Sequence, residues 1–268
     1  MNKIIEIGDA FQDIYHIGTS KRLSPEAPIP VVKIEETLQF DGGAANVRSN
    51  LRSLGEDGLM LFKALDAAQN YPLKHRLICD GVQIARWDEQ DYSYPFERCD
   101  LLPLLDADAV VVSDYGKGAI TEEVIQILHD YRGPLFVDTK KDPSRWIGSN
   151  AVMFPNLKEY QEFSQFYEWF PRVVLKQGAN GLSLLEFGKV VLHRPSRARF
   201  VKSVNGAGDT AMAGFIVASL TGADLPWCLE FANCAAALAV ESDYTFSPLY
   251  EDVIYLMNTF NRQVEGEE

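Results

Sequence analysis

The chain has 268 residues, with 25 Lys and Arg against 38 Asp and Glu, a formal charge of −13 with histidine neutral. A field of that sign repels a phosphate backbone, which excludes nucleic acid as an expected partner; no apolar run approaches the roughly 20 residues that span a bilayer, which excludes a membrane-embedded role. An apolar fraction of 47% fills a core, and the length suits one large α/β domain or two small ones.

The opening Met1–Phe11 is too short and too acidic for a signal peptide. Cys79, Cys99, Cys228 and Cys234 form no CxxC pair, and the last two fall in an apolar helical pattern that suits core packing. The expectation is a reduced, cytoplasmic protein with a frayed acidic tail at Glu265–Glu268. Lys3–Gly8 reads as a short apolar strand ending in Gly8-Asp9. Tyr15–Gly18 and Pro30–Phe40 read as strands joined by the proline-rich stretch Ser24–Pro30, and Gly42-Gly43 opens a helix over Ala44–Leu54. Residues 57–73 carry no clear period. Leu77–Trp87 alternates like one strand, Ala109–Ser113 like a fully buried one, and Asp114–Gly118 is a glycine loop. Thr121 caps a helix over Glu122–Tyr131; strands follow at Leu135–Asp138 and Ala151–Phe154, and Asn156 with Glu159 starts another helix. Arg172–Lys176 is a strand, Ser183–Glu186 pairs with Val190–His193, and helices run over Asp209–Leu220 and Pro226–Val240. Short apolar strands alternating with helices predict an α/β fold with a mostly parallel sheet covered on both faces. Ligands bind beyond the carboxyl ends of such strands, which puts Asp9, Asp114, Asp138 and Asn156 on the ligand side.

The chemistry concentrates in Val204-Asn205-Gly206-Ala207-Gly208-Asp209-Thr210, directly before an apolar helical run. Small residues permit a sharp turn, and the unpaired N–H groups of a helix start form an anion site. A carboxylate in such a site repels the anion unless it takes a proton from an attacking hydroxyl. The segment therefore reads as a phosphoryl-transfer site with Asp209 as base, or more plainly as an N-cap after a glycine turn. His16, His75, His129 and His193 are scattered and suggest no metal site.

Gly42-Gly43-Ala44-Ala45-Asn46 near one end and Asn205–Thr210 near the other, in this order, resemble the ribokinase-like (PfkB) carbohydrate kinases. Leu23–Lys33, Ser113–Ala119 and Phe154–Glu159 are similar to the heptose 7-phosphate kinase branch of that family, which serves ADP-heptose synthesis for lipopolysaccharide. The resemblance implies a three-layer α/β/α sandwich in a single domain over residues 1–268, with a small β lid at about 14–40 and 77–87. It implies ATP and Mg²⁺, a sugar or sugar-phosphate substrate whose anomeric 1-OH is phosphorylated, and a homodimer formed through the lid. Asp209 would be the base, with Gly206, Ala207 and Gly208 in the anion hole. Asp13, Gly42, Gly43 and Asn46 would hold sugar hydroxyls; on their own Asp13 reads equally as a solvated acid and Asn46 as a helix-turn hydrogen bond. Asn156 and Glu159 would lie near the triphosphate and the water shell of Mg²⁺, though the pair is also a capping box. Lys176, Gly178 and Gly181 match the nucleotide loop, or a plain strand turn, and Asn233 would lie by the adenine or serve helix packing. Lys74, Arg76 and Lys117, with Asp114 at the head of its loop, would face a substrate phosphate; each cation is otherwise a surface charge.

Departures from the family pattern bear on these expectations. Ser203 stands where many relatives carry an acid that helps bind an activating monovalent cation, and Asn205 stands where they carry threonine, which leaves that activation open. The stretches 54–74 and 163–171 are shorter than in relatives, and no His-x-Gly-His motif is present, so no nucleotidyltransferase step is expected of this chain. A kinase of an unphosphorylated sugar or nucleoside, or a non-catalytic binding relative, are the other readings.

Overall fold

Strands that are apolar at every position need cover on both faces, and the order of elements supplies it. The computed structural model describes residues 3–57, 59–61 and 72–265. In chain order β1 (Ile4–Gly8), β2 (Ala10–Leu23), β3 (Pro30–Gly43) and α1 (Ala44–Ser53) precede β4 (Leu59–Leu61), β5 (Leu73–Cys79) and β6 (Val82–Glu89). A 3-10 segment at Arg98–Asp106 leads to β7 (Ala109–Asp114), α2 (Glu122–His129), β8 (Leu135–Thr139) and β9 (Val152–Met153). Then come α3 (Leu157–Glu162), α4 (Ser164–Tyr167), β10 (Arg172–Lys176), β11 (Leu182–Glu186) and β12 (Lys189–Arg194), before α5 (Ala207–Leu220), α6 (Leu225–Glu241) and α7 (Tyr250–Glu265).

The main sheet has eight strands in the order β12-β11-β10-β9-β8-β7-β1-β4. From β4 to β10 neighbouring strands are parallel, and β11 and β12 add an antiparallel hairpin at one edge. Successive side chains enter opposite cores. Ile4, Val111, Phe136 and Val174 pack with α1, α5, α6 and α7, whereas Ile5, Val110, Val137 and Val173 pack with α2, α4 and the 3-10 segment. Two helical layers therefore enclose one sheet, and the α/β expectation stands.

A second, four-stranded sheet, ordered β3-β2-β5-β6, grows from the carboxyl end of β1. Only β2 and β5 are parallel in it. Its strands are longer than the expected lid segments at 14–40 and 77–87: they start at Ala10 and Leu73 and end at Gly43 and Glu89. Leu77–Trp87, expected as one strand, is divided by a two-residue turn in which Asp80 and Gly81 both have positive φ (50° and 81°), the geometry that matches the twist of a hairpin. At the other end, Gly43 (φ 59°) turns β3 into α1; a Cβ there would lie 2.2 Å from the carbonyl oxygen of Asp9.

The helix α7 was not anticipated. Its buried face, Val253, Leu256 and Met257, has the i, i+3, i+4 spacing of an amphipathic helix. The shortened stretch read between Leu54 and Lys74 falls largely outside the described residues, as do residues 266–268 of the acidic tail. Between Phe163 and Pro171 the chain keeps only the four-residue α4. Among the described residues no helix is long and apolar enough to cross a membrane.

The helices α5 and α6 meet at small residues, and α5 is buried from Asp209 to Ala218. A Cβ on Gly214 would stand 3.0 Å from Cα of Ala232 and 3.2 Å from Cβ of Ala235. Gly214→Val gains about 0.5 kcal/mol of helix propensity and loses about 2–3 kcal/mol to overpacking. Urea unfolding should therefore show a net loss near 2 kcal/mol, and an unchanged midpoint would mean that the two helices can separate freely.

Candidate active site

The parallel strands end along one rim, and β8 and β10 bring Asp138 and Lys176 to it. The helix α5 starts at the same rim. Gly206 is its N-cap with φ 77°, and a Cβ there would lie 2.8 Å from Nδ2 of Asn46, so the turn and the Asn46 amide can coexist only with glycine. The first helical bond runs from the Thr210 N–H to the Gly206 carbonyl at 2.9 Å. Helix geometry thus leaves the N–H groups before it free of intrahelical acceptors and at the positive end of the dipole.

Asp209, 7% exposed, lies in this first turn. Its Oδ2 accepts from Asn46 Nδ2 at 2.8 Å and its Oδ1 from the Tyr115 hydroxyl at 2.7 Å. Burial raises its pKa above the usual carboxylate range; the two hydrogen bonds oppose that, and Asp138 adds to it. Asn46, expected at the sugar, is instead committed to Asp209, and Asn50 in turn donates to the Asn46 side-chain oxygen at 3.0 Å.

A cleft of about 430 Å³ opens beside this turn, lined by Gly206–Asp209, Tyr115, Asn156, Lys176, Gly178, Gly181 and Asn233. The predicted catalytic and nucleotide residues other than Glu159, which are far apart in sequence, thus line one cleft. A chain of charges crosses its floor. Lys176 Nζ pairs with Asp138, and Lys140 Nζ bridges Asp138 Oδ1 (3.1 Å) and Glu159 Oε1 (2.8 Å). Burial alone would raise the Asp138 pKa, but Lys140 and Lys176 outweigh it and hold the carboxyl below the usual range. Asn156 caps α3 by accepting from the Glu159 N–H at 2.9 Å, while Glu159 accepts from the Asn156 N–H at 2.8 Å, so the capping box forms at the cleft itself. Asn233 donates to the Pro195 carbonyl at 2.7 Å and thereby fixes the loop forming the far wall.

The residues expected at a substrate phosphate gather under the second sheet. Arg76 pairs with Asp13 at 2.9 Å, both on buried strand positions. Lys74 Nζ sits 3.2 Å from the centroid of the Phe11 ring and 5.2 Å from that of Tyr115, and burial, then the neighbouring Lys117, lowers its pKa to about 8. Lys117 pairs with Asp91. Gly42 lies against the Phe11 ring, where a Cβ would clash at 2.2 Å. Asp114 departs from its expected role. It is fully buried and accepts from the Gly116 N–H and the Thr139 hydroxyl, each at 3.0 Å, with Lys141 at 3.4 Å; it shapes the loop rather than meeting a ligand.

Tyr115, Lys140 and the link from Asn205 Nδ2 to the Tyr15 hydroxyl (2.9 Å) were not foreseen. That link ties the anion turn to the second sheet. A cation two residues beyond Asp138, at the end of a buried strand, was the available signal for Lys140.

Residues 76–251 match the model of the pfkB family carbohydrate kinases. The chain belongs to that family. Two relatives, both named bifunctional protein HldE, from Pseudomonas paraeruginosa and Vibrio parahaemolyticus, are 30% identical to this kinase over 88% of its length, and it spans about 60% of theirs. The Arabidopsis thaliana ribokinase complexed with ribose and ATP superposes with a TM-score of 0.75 at 18% identity, covering 96% of this kinase and 98% of that chain. The Thermotoga maritima ribokinase gives 0.77 at 18% identity over 96% and 100%. The Burkholderia thailandensis nucleoside kinase in complex with inosine gives 0.70 at 14% identity over 96% and 98%. The ribokinase-like fold is therefore shared across the whole of the described architecture.

A raised folded-state pKa at Asp209 means that the unfolded chain releases this proton at lower pH than the folded one. The group thus costs stability as pH rises above the ordinary Asp value. Asp209→Asn lacks that penalty, so its stability relative to wild type should increase as the pH is raised above about 4. Denaturant midpoints measured across that range check it, and a constant difference would mean that the carboxyl titrates as if in water.

Proposed function

We propose that this kinase transfers the γ-phosphoryl group of ATP to a hydroxyl of a sugar that already bears a phosphate, with the 1-OH of D-glycero-D-manno-heptose 7-phosphate as the favoured acceptor. The observation that carries this reading is Lys74: a 9% exposed ammonium whose pKa is held down, with no ion pair among the described residues. A desolvated cation of this kind gains most from an anionic ligand. Arg76 and Lys117 stand on the same side of the second sheet, and the sequence resemblance to heptose 7-phosphate kinases points the same way.

The chemistry follows from the geometry. Asp209 accepts the proton of the attacking hydroxyl as its oxygen bonds to the γ-phosphorus and the β–γ bridging oxygen leaves with ADP. General-base help of this kind contributes about 10²–10⁴-fold. The free N–H groups at Gly206–Asp209 face the charge that spreads over the transferring group. Lys176 and Lys140 add positive potential across a cleft floor whose acids are already paired. Mg²⁺ keeps most of its water shell and rides on phosphates, with Asn156 and Glu159 as nearby oxygen donors. Bound there, the ion would offset triphosphate charge. The second sheet, acting as a lid tied to the anion turn through Tyr15 and Asn205, would exclude water, the competing acceptor.

A kinase of an unphosphorylated sugar or nucleoside is the second reading, favoured by the fact that Arg76 and Lys117 are already paired with Asp13 and Asp91. ADP formation from Mg·ATP across free sugars, nucleosides and sugar 7-phosphates separates the two. Turnover should be confined to phosphorylated acceptors, should fall by about 10² or more in Asp209→Asn, and should show an acceptor KM that climbs above about pH 8 as Lys74 loses its charge. Turnover on free sugars or nucleosides alone would contradict the phosphate reading.

A further inference from the structure

Tyr115 has no part in the recognition of sugar or nucleotide set out above, yet it touches the base directly. Its hydroxyl donates to Asp209 Oδ1 at 2.7 Å, and it lines the same cleft as the anion turn. The loop that carries it is clamped on both sides. Asp9, fully buried, accepts from the N–H groups of Lys117 and Ala119, each at 3.0 Å, and Asp114 accepts from the N–H of Gly116. The ring is fixed as well: Phe11 meets it edge-on at 5.2 Å between centroids, and the ammonium groups of Lys74 and Lys140 lie 5.2 and 5.3 Å from its centroid. A phenol held so firmly loses little further freedom in making its hydrogen bond.

We infer that Tyr115 is a positioning residue for Asp209: its phenol holds one carboxylate oxygen while Asn46 holds the other, leaving each oxygen one lone pair for the acceptor hydroxyl. The inference rests on the reading of Asp209 as the base. Other groups face the same carboxylate from the surrounding elements. Glu6 on β1, Asp13 on β2 and Asp138 on β8 are like charges, and Lys176 on β10 is the opposing one. The pKa of Glu6 lies well above the usual range through burial first and Asp209 second. Against burial and these acids, the two hydrogen bonds lower the pKa of Asp209. The Tyr115 phenol has a pKa well above its ordinary value, chiefly through burial, and so stays a donor throughout the neutral range.

The test is Tyr115→Phe, which deletes one oxygen and keeps the ring. Carboxyl ¹³C NMR of Asp-labelled protein follows the titration of Asp209, assigned by the resonance absent in Asp209→Asn. In Tyr115→Phe the midpoint should move to higher pH. The acidic limb of kcat should move with it, giving a loss of about tenfold on that limb that recovers as the pH is raised, with KM for ATP unchanged. A side chain that only braced the loop would lower kcat equally at every pH and leave the midpoint in place; that result overturns the inference. If Tyr115→Phe fails to fold, 3-fluorotyrosine placed at position 115 is a stronger donor of nearly the same shape and should move the midpoint to lower pH, an unmoved midpoint again being the contrary result. Should the midpoint shift while no phosphorylated sugar is turned over, the acceptor reading falls and the Tyr115–Asp209 coupling stands.

Discussion

Three aspartates, Asp9, Asp114 and Asp138, are buried at the carboxyl ends of parallel strands, and a fourth, Asp209, is buried in the first turn of α5. A carboxylate taken out of water costs several kcal/mol unless donors replace the water. The way each is satisfied builds the site. Asp9 and Asp114 use backbone N–H groups of the loop after β7 and so fix the position of Tyr115. Asp138 uses Lys140 and Lys176, which lays two cations across the cleft floor. Asp209 uses Tyr115 and Asn46, so the element that depends on the first two aspartates serves the fourth.

The arrangement also resolves a conflict between scales. A chain with a net charge of −13 repels anions at long range, yet the cleft presents a helix N-terminus and lysines at short range, where desolvation strengthens their interaction. The lysines on the cleft floor are paired with acids, and Asp138 and Glu159 raise the pKa of Lys140; Lys74 is not so held and is correspondingly weaker as a base. The aromatic group Tyr15, Phe40 and Tyr244, with centroids 4.9–5.7 Å apart, roots the second sheet against the segment after α6. Together with the Asn205–Tyr15 bond it ties the sheet to the anion turn.

Much of this was legible in the sequence. The unbroken apolar strands predicted a sheet covered on both faces, and the glycine pairs at 42–43 and around Ala207 marked the two points where backbone meets site. What escaped has identifiable causes. Asp80-Gly81 is a hairpin signal, but the alternation of Leu77–Trp87 continues through it, because a two-residue turn leaves the period of two unbroken. The Val253, Leu256, Met257 face of α7 is helical in spacing, yet polar residues between them dilute it. Asn46 is a polar residue beside a glycine turn whichever ligand it serves; only the fold brings it to Asp209, 163 positions along the chain. Asp114 follows its strand just as Asp138 does, and spacing cannot tell a carboxylate spent on its own loop from one aimed at a neighbour. Tyr115 was hidden for the same reason: an aromatic in a glycine loop announces nothing until its hydroxyl has a partner.

The central claim is that this cleft moves a phosphoryl group from ATP to a sugar hydroxyl that Asp209 deprotonates. Phosphorus NMR of the product formed from Mg·ATP and D-glycero-D-manno-heptose 7-phosphate tests it most directly. The account predicts a new phosphate resonance coupled to the anomeric proton, beside the unchanged 7-phosphate signal, and its absence with Asp209→Asn. Release of inorganic phosphate alone, or a new signal that forms equally well with the variant, would contradict it.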